Sequence, residues 1–150
     1  MLSSLTSSSW LLRDGLTYSE IDIIEGVSHA THNTVSVWTK PQVCTMQDVG
    51  GSGKTRGLDC MWGTNSPGCG VDAQDGTFGE TFNAAGGGIW ATQLESDGIK
   101  IWFFPHGSEP ADYLSGNPNP STWGQPLMNF APDNCDMAMF QKMKIVSSPR

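Results

Sequence analysis

The sequence predicts an all-β fold, a β-sandwich or jelly roll of antiparallel strands joined by long loops. Charged residues make up only 15% of the 150 residues, while 18 glycines and nine prolines supply many turns. Short stretches of alternating apolar and polar residues lie between these turn formers. We find no convincing helical periodicity along the chain, so the pattern favours packed sheets over helices.

The strands follow one another with clear turn signals between them. The first strong strand is rich in isoleucine and ends at Gly26, and the second alternates cleanly. Two later stretches flank turn formers at residues 95–98, which predicts a β-hairpin. The predicted strands lie at residues 20–25, 34–39, 89–94, 99–104 and 143–146.

Three carboxylates fall within the first of these strands. Glu20 and Asp22 are two residues apart and share a face, with isoleucines on the other face. Strict alternation would place Glu25 on the isoleucine face, and one extra residue, a β-bulge, returns it to the acids. Two carboxyls converging on one bond, with a third to tune them, are what glycoside hydrolysis requires. On spacing alone, a solvated strand face is an equally good interpretation.

The net charge of −7 argues against some partners. Nucleic acids and anionic membrane surfaces would be repelled, so we expect neither as a partner. No apolar run approaches the roughly 20 residues of a membrane span. We expect a monomer of one domain.

The four cysteines include no C-x-x-C pair, which favours disulfides in an oxidising compartment over a zinc site. Cys60 and Cys69 flank a short loop and are predicted to form a local bridge, with four free thiols as the alternative. Residues 47–76 are predicted to be a long loop region held in place by cysteines.

The first nine residues lack the apolar run of a signal peptide. Secreted-type cysteines without that signal suggest a chain that lacks its natural beginning.

Residues 50–55 imitate the end of a phosphate-binding loop. The full pattern needs a glycine five positions before Gly53, where the chain has Asp48. A carboxylate at that position would repel phosphate, so we reject a nucleotide site.

Aromatic residues are the second chemical clue, because their faces stack on sugar rings, although in a sandwich most of them are core. Trp102 and Phe104 share a face by alternation, so one of the pair Trp102 and Phe103 is predicted to face inward. The histidines show no metal-ligand spacing, and we expect no metal and no cofactor. The tryptophans in or beside strands and loops are Trp38, Trp62, Trp90, Trp102 and Trp123.

Residues 20–26 (EIDIIEG) resemble the catalytic signature of glycoside hydrolase family 16, in the bulged form of its laminarinases. The resemblance covers residues 19–146, and the order of its motifs is that of fungal endo-1,3(4)-β-glucanases. Further motifs follow in the expected order at residues 68–71 (GCGV), 82–83 (FN), 86–88 (GGG), 101–105 (IWFFP) and 118–124 (PNPSTWG).

The resemblance implies a concanavalin A-like jelly roll whose catalytic strand lines a concave cleft, in an extracellular enzyme. Family domains are longer, so it implies a partial domain, incomplete at both ends, and a partial gene product. Residues 1–18 are predicted to be a divergent segment and residues 147–150 a tail.

The resemblance also implies a retaining, cofactor-free attack on β-glucans with 1,3 or mixed 1,3 and 1,4 linkages. Glu20 would be the nucleophile, Glu25 the acid/base and Asp22 an assisting carboxylate. The alternative function is a truncated or vestigial β-glucan-binding module without catalysis. The residues expected to bind substrate are Trp38, Trp102, His106 and Trp123, of which Trp38 stands where the family commonly has histidine and His106 where it has arginine.

Overall fold

The computed structural model describes residues 7–13, 18–63 and 65–149. Within them the chain forms short strands, two short helices and two 3₁₀ turns, at Pro120–Thr122 and Met137–Phe140. The strands are β1 (Ser7–Arg13), β2 (Tyr18–Glu25), β3 (Thr34–Lys40), β4 (Thr45–Asp48), β5 (Lys54–Gly57), β6 (Cys69–Asp72), β7 (Gly88–Glu95), β8 (Gly98–Pro105), β9 (Met128–Asn134) and β10 (Lys144–Pro149). The helices are α1 (Gly79–Ala84) and α2 (Ala111–Ser115).

The strands form two antiparallel sheets. The larger has six strands in the order β10-β1-β2-β3-β6-β5, and the smaller has four in the order β4-β9-β8-β7. The predicted all-β sandwich is therefore confirmed. Strand β2 lies inside the larger sheet, with β1 and β3 as its hydrogen-bonded neighbours. The three acids are consequently held by paired backbone on both sides.

The two sheets pack face to face over one apolar core. Ile21 of β2 is fully buried in this core, and Ile101 of β8 meets it from the smaller sheet. Because side chains alternate along a strand, Ile21 facing inward turns Glu20 and Asp22 outward. Other fully or almost fully buried apolar residues of the two sheets include Val35, Val37, Met46, Cys69, Val71, Ile99, Met128 and Phe130.

Both disulfide bonds lie at the ends of strands. Cys60 pairs with Cys69 at the start of β6, which confirms the predicted local bridge. Cys44, just before β4, pairs with Cys135, just after β9. All four cysteines are thus paired, and the alternative of free thiols is wrong.

The other predicted elements are confirmed in part. The predicted hairpin is present, since β7 and β8 pair from Glu95 and Gly98 outward. The prediction of no helix is wrong, although α1 and α2 have only six and five residues, too few to show a period. Residues 47–76 are not one loop, because β5 and β6 cross them. Strands of four residues that contain glycine show almost no alternation.

Across the part of the chain described here, no helix has the length and apolar character needed to cross a bilayer.

Candidate active site

The predicted bulge in β2 is present, and it brings the three acids to one face. The register between β2 and β3 shifts between Asp22 and Glu25, where two residues of β2 lie opposite one of β3. Opposed residues point to the same side of a sheet, and alternate residues of β3 share a side. Glu20, Asp22 and Glu25 therefore share a face, because they pair with Trp38, Ser36 and Thr34.

The buried side-chain amide of Asn33 bridges the bulge by hydrogen bonds to backbone groups of β2. Asn33 is fully buried, its Oδ1 accepts from the Glu25 amide at 2.7 Å, and its Nδ2 donates to the Ile23 carbonyl at 2.8 Å. Asn33 is not among the residues predicted from the sequence. An asparagine just before a strand is usually read as a turn former, so the sequence carries no distinct signal for this role.

Asp22 is the central acid of the three and the most deeply buried. It is 7% exposed, and this burial is the main reason that its pKa rises from 3.8 to about 8. The negative charges of Glu20 and Glu25 raise that pKa further, while a hydrogen bond from the Trp38 side chain opposes the rise. Asp22 therefore holds its proton at neutral pH and can donate a hydrogen bond.

Glu20 has a hydrogen-bond donor on its own strand. The hydroxyl of Tyr18, two residues earlier on the same face, donates to Oε2 of Glu20. Burial is the largest cause of a raised pKa at Tyr18, and its bond to Glu20 adds to it. The phenol thus stays protonated. Tyr18 was also missed from the sequence, where a tyrosine in a strand predicts packing.

Trp38 is the predicted substrate-binding residue that lies beside the acids. Its ring meets the half-exposed ring of Trp62 edge-on, with centroids 5.2 Å apart and planes at 65°. Gly68 lies against the same ring at a φ of +83°, and a Cβ added there would be 2.7 Å from Trp38. The glycine therefore allows the backbone to approach the indole closely. Together Trp38 and Trp62 form an aromatic surface next to Glu20.

The structure does not bring Trp102, Trp123 and His106 to the acids. Ile101 faces the core, so Trp102 points to the outer face of the smaller sheet. There Trp123 meets Trp102 at 5.4 Å and donates from Nε1 to Asp112 at 2.9 Å. His106 is exposed and lies 3.2 Å from Glu109.

That outer cluster borders a cavity of about 380 Å³. Phe104 lies on the same face as Trp102 and meets Trp123 at 5.6 Å, whereas Phe103 packs on Trp90 at 4.7 Å on the core side. Phe103 is thus the inward member of its pair with Trp102. A sugar-binding role for the outer cluster stays a prediction.

The loop that imitates a phosphate site is closed by a carboxylate. Asp48 Oδ1 accepts from the amides of Gly50 and Gly51 at 3.0 Å each, and its Oδ2 accepts from the Thr55 hydroxyl. The Gly50 and Gly51 amides and the Thr55 hydroxyl are therefore engaged by Asp48. Among the residues with described positions, no cluster of three or more histidine, cysteine or acidic side chains is placed to hold a metal ion.

Comparisons with known proteins give a consistent result. A family model described as an XgeA-like, catalytic GH16 domain matches residues 5–148. A probable glycosidase of Schizosaccharomyces pombe is 37% identical over 134 residues, covering 85% of this chain and 32% of the relative. A probable endo-1,3(4)-β-glucanase of Neosartorya fischeri is 37% identical over 132 residues, covering 85% of this chain and 20% of the relative.

Solved structures share the fold. Laminarinase 16A of Phanerochaete chrysosporium, with 6-O-glucosyl-laminaritriose in its donor and acceptor sites, superposes with a TM-score of 0.83 at 30% identity. The match covers 99% of this chain and 53% of that one. An elongating GH family 16 β-1,3-glucosyltransferase matches at a TM-score of 0.80 and 31% identity, covering 97% and 50%. The chain thus spans about half the length of these structures and a third or less of the two curated relatives.

Proposed function

This chain belongs to glycoside hydrolase family 16, and we propose that it carries the catalytic strand of an endo-acting, retaining β-glucan hydrolase. The substrates are glucans with 1,3 or mixed 1,3 and 1,4 linkages. One observation carries the proposal: the bulge in β2 gathers Glu20, Asp22 and Glu25 on one outward face. The glucanase relatives and the oligosaccharide-bound laminarinase support the substrate class.

The proposed first step forms a glycosyl-enzyme. The Glu20 carboxylate attacks the anomeric carbon while the protonated Glu25 gives its proton to the departing glycosidic oxygen. The carbon–oxygen bond of the glycoside breaks as the ester bond to Glu20 forms. In the second step Glu25, now ionised, takes a proton from water, whose oxygen displaces Glu20 from the same carbon. Two inversions retain the configuration.

Two neighbours suit Glu20 to the role of nucleophile. Tyr18 donates a hydrogen bond to its carboxylate and so restrains its orientation. Asp22 lies on the same face and holds its proton at neutral pH, since burial and the flanking acids raise its pKa to about 8. A protonated Asp22 places less negative charge beside Glu20 than an ionised one, and it can donate a hydrogen bond on the same face.

The glucan chain is proposed to pass over the surface formed by Trp38 and Trp62. Aromatic faces bury the apolar C–H faces of sugars, and Trp62 is 50% exposed and free to offer such a face. We propose an extracellular setting, which the two disulfide bonds support.

A second candidate function is a β-glucan-binding module without catalysis. An acid that must keep its proton near neutral pH is normally shielded from water. Glu25 is instead exposed, and that observation favours the second candidate. The aromatic surface beside Glu20 would serve both functions.

One assay separates the two functions. We expect the protein to release reducing ends from laminarin and lichenan, and Glu20→Gln to lower this rate more than about 1000-fold. Glu95→Gln, an exposed carboxylate in the β7–β8 turn, is the matched control and should act like the wild type. Retarded migration in laminarin gels without release of reducing ends would indicate the binding module. Activity that survives in Glu20→Gln would contradict the nucleophile assignment.

A further inference from the structure

We propose that Asn33 is a positioning residue that fixes the bulge of β2 and thereby aims the carboxyl of Glu25. The inference deepens the proposed function, in which Glu25 is the acid/base, and rests on it. Asn33 lies before β3 and reaches β2 through its side-chain amide.

The amide of Asn33 bridges the two ends of the bulge. Its Oδ1 accepts from the backbone N–H of Glu25 at 2.7 Å, and its Nδ2 donates to the carbonyl of Ile23 at 2.8 Å. Only one orientation of the amide satisfies both bonds, since a carbonyl must receive a donor and an N–H must meet an acceptor. Ile23 and Ile24 together lie opposite one residue of β3, so the bridge spans the bulge.

These bonds replace pairing that the bulge removes. A bulge leaves backbone groups without partners on the neighbouring strand. An unpaired backbone group shielded from water costs free energy comparable to a lost hydrogen bond. Asn33 is fully buried, so its amide supplies the missing partners where water does not.

Asn33 is itself held from a third segment. Its backbone N–H donates to the Thr77 hydroxyl at 3.0 Å, and its carbonyl accepts from the Ala73 amide at 2.9 Å. Next to Glu25, the backbone of Gly26 presses on the buried Phe78 ring, where an added Cβ would lie 2.4 Å from a ring carbon. The bridge therefore connects β2 to a fixed support.

Loss of the bridge has a specific geometric consequence. A strand without its extra residue alternates strictly, and a shift of one residue turns each side chain to the opposite face. Relaxation of the bulge would thus rotate Glu25 toward the isoleucine face. Glu20 and Asp22 would keep their places, because their pairing with β3 precedes the bulge.

The test compares Asn33→Ala with a structural control, Thr39→Val. Thr39 is also fully buried and donates to the Gln42 carbonyl at 3.0 Å, but it makes no bond to the bulge. Both variants should lose stability. Each is assayed on laminarin and on a 2,4-dinitrophenyl β-laminaribioside, whose leaving group departs without a proton.

We expect Asn33→Ala to lower kcat/KM on laminarin about 10- to 100-fold, because kcat/KM reports formation of the glycosyl-enzyme and a misplaced acid assists departure poorly. The loss of kcat/KM on the aryl glycoside should be at least about fivefold smaller. Thr39→Val should change kcat/KM on the two substrates by equal factors. A loss in Asn33→Ala that is equal on both substrates would overturn the inference.

Glu25→Gln separates this inference from the proposed function. If Glu25→Gln lowers kcat/KM equally on both substrates, the acid/base assignment fails. If Glu25→Gln spares the aryl glycoside and Asn33→Ala does not, only the proposed role of Asn33 fails.

Amide hydrogen exchange tests the bridge without activity. The Glu25 amide should exchange at least about tenfold faster in Asn33→Ala than in Thr39→Val. Equal exchange would overturn the inference. If Asn33→Ala does not fold, Asn33→Asp replaces it, since it keeps an acceptor for Glu25 and lacks the donor for Ile23. Asn33→Asp should show the same substrate preference, and its absence would count against the inference.

Discussion

The hydroxyl of Tyr18 donates a hydrogen bond to the carboxylate of Glu20, two residues along the same face of β2. The pKa of Tyr18 is raised, chiefly by burial and then by Glu20, so the phenol remains a donor throughout the neutral range. The orientation of the proposed nucleophile is therefore set by a side chain of its own strand.

We predict that Tyr18→Phe lowers kcat on laminarin about 10-fold. A hydrogen bond to a charged group contributes about 1.5–3 kcal/mol, and its loss leaves the carboxylate free to turn. Initial-rate kinetics on laminarin measure the effect. Tyr113→Phe, a substitution of an exposed tyrosine in α2, should retain the wild-type rate. Equal values of kcat in Tyr18→Phe and Tyr113→Phe would show that the hydrogen bond to Glu20 does not contribute to catalysis.

Protonation of Asp22 should make stability depend on pH. Its pKa is 3.8 in the unfolded chain and about 8 in the folded one, so between these values the folded state binds the extra proton. The contribution of Asp22 to the free energy of unfolding is fully present below about pH 4. It falls as pH rises toward 8, by up to about 1.4 kcal/mol per pH unit. Asp22→Asn removes the titrating group.

Urea unfolding at pH 5 and pH 8 checks this prediction. The wild type should lose clearly more stability than Asp22→Asn between the two pH values, because other groups titrate alike in both. Parallel losses would mean that Asp22 is ionised in the folded protein at pH 5.

We predict that the indole of Trp38 restrains the pKa of Asp22. The hydrogen bond from Trp38 favours the ionised carboxylate, so Trp38→Phe should raise the pKa of Asp22 above its wild-type value. Trp38→His retains a ring N–H and should raise it less. Carboxyl carbon NMR titration of Asp22 measures both shifts. Trp62→Phe, which alters the neighbouring ring alone, should leave the titration unchanged.

The two disulfide bonds should differ in what they contribute. Cys44–Cys135 closes a separation of 91 residues and Cys60–Cys69 one of nine. In the chain-entropy model the longer loop restricts the unfolded chain more, by about 2 kcal/mol. Replacing the first pair by alanine should therefore destabilise the protein more than replacing the second, as measured by urea unfolding. The opposite order would indicate that strain or residual structure outweighs loop entropy.

Local patterns in the sequence were sufficient to predict the centre of the fold. Alternation and β-branched residues mark β2 and β3, and turn formers mark the β7–β8 hairpin. Glu20 and Glu25 share a face only if an extra residue lies between them, so spacing together with the family resemblance predicts the bulge. Each of these signals depends on residues within a few positions of one another.

The rest depends on contacts distant along the chain. Asn33 acts through β2 and is supported by Thr77, which no local pattern shows. Alternation places Trp102 and Phe103 on opposite faces, but it does not tell which of them faces inward, which sheet carries them or on which side of the sandwich the outward ring lies. For that reason the sequence predicts Trp102 and Trp123 as substrate-binding residues of the same site as the acids, whereas Trp102 lies on the other sheet and Trp123 packs against it.

Asp48 acts as a tethered anion within its own loop. Through its bonds to Gly50, Gly51 and Thr55 it occupies the donors that a free phosphate would approach. A ligand attached by so few residues has an effective concentration in the millimolar range or above, and here it repels any incoming anion as well. Asp48 therefore opposes the binding of a free anion in this loop. The glycines determine the conformation of the loop backbone, and the Asp48 carboxylate determines whether its N–H groups are available to a ligand.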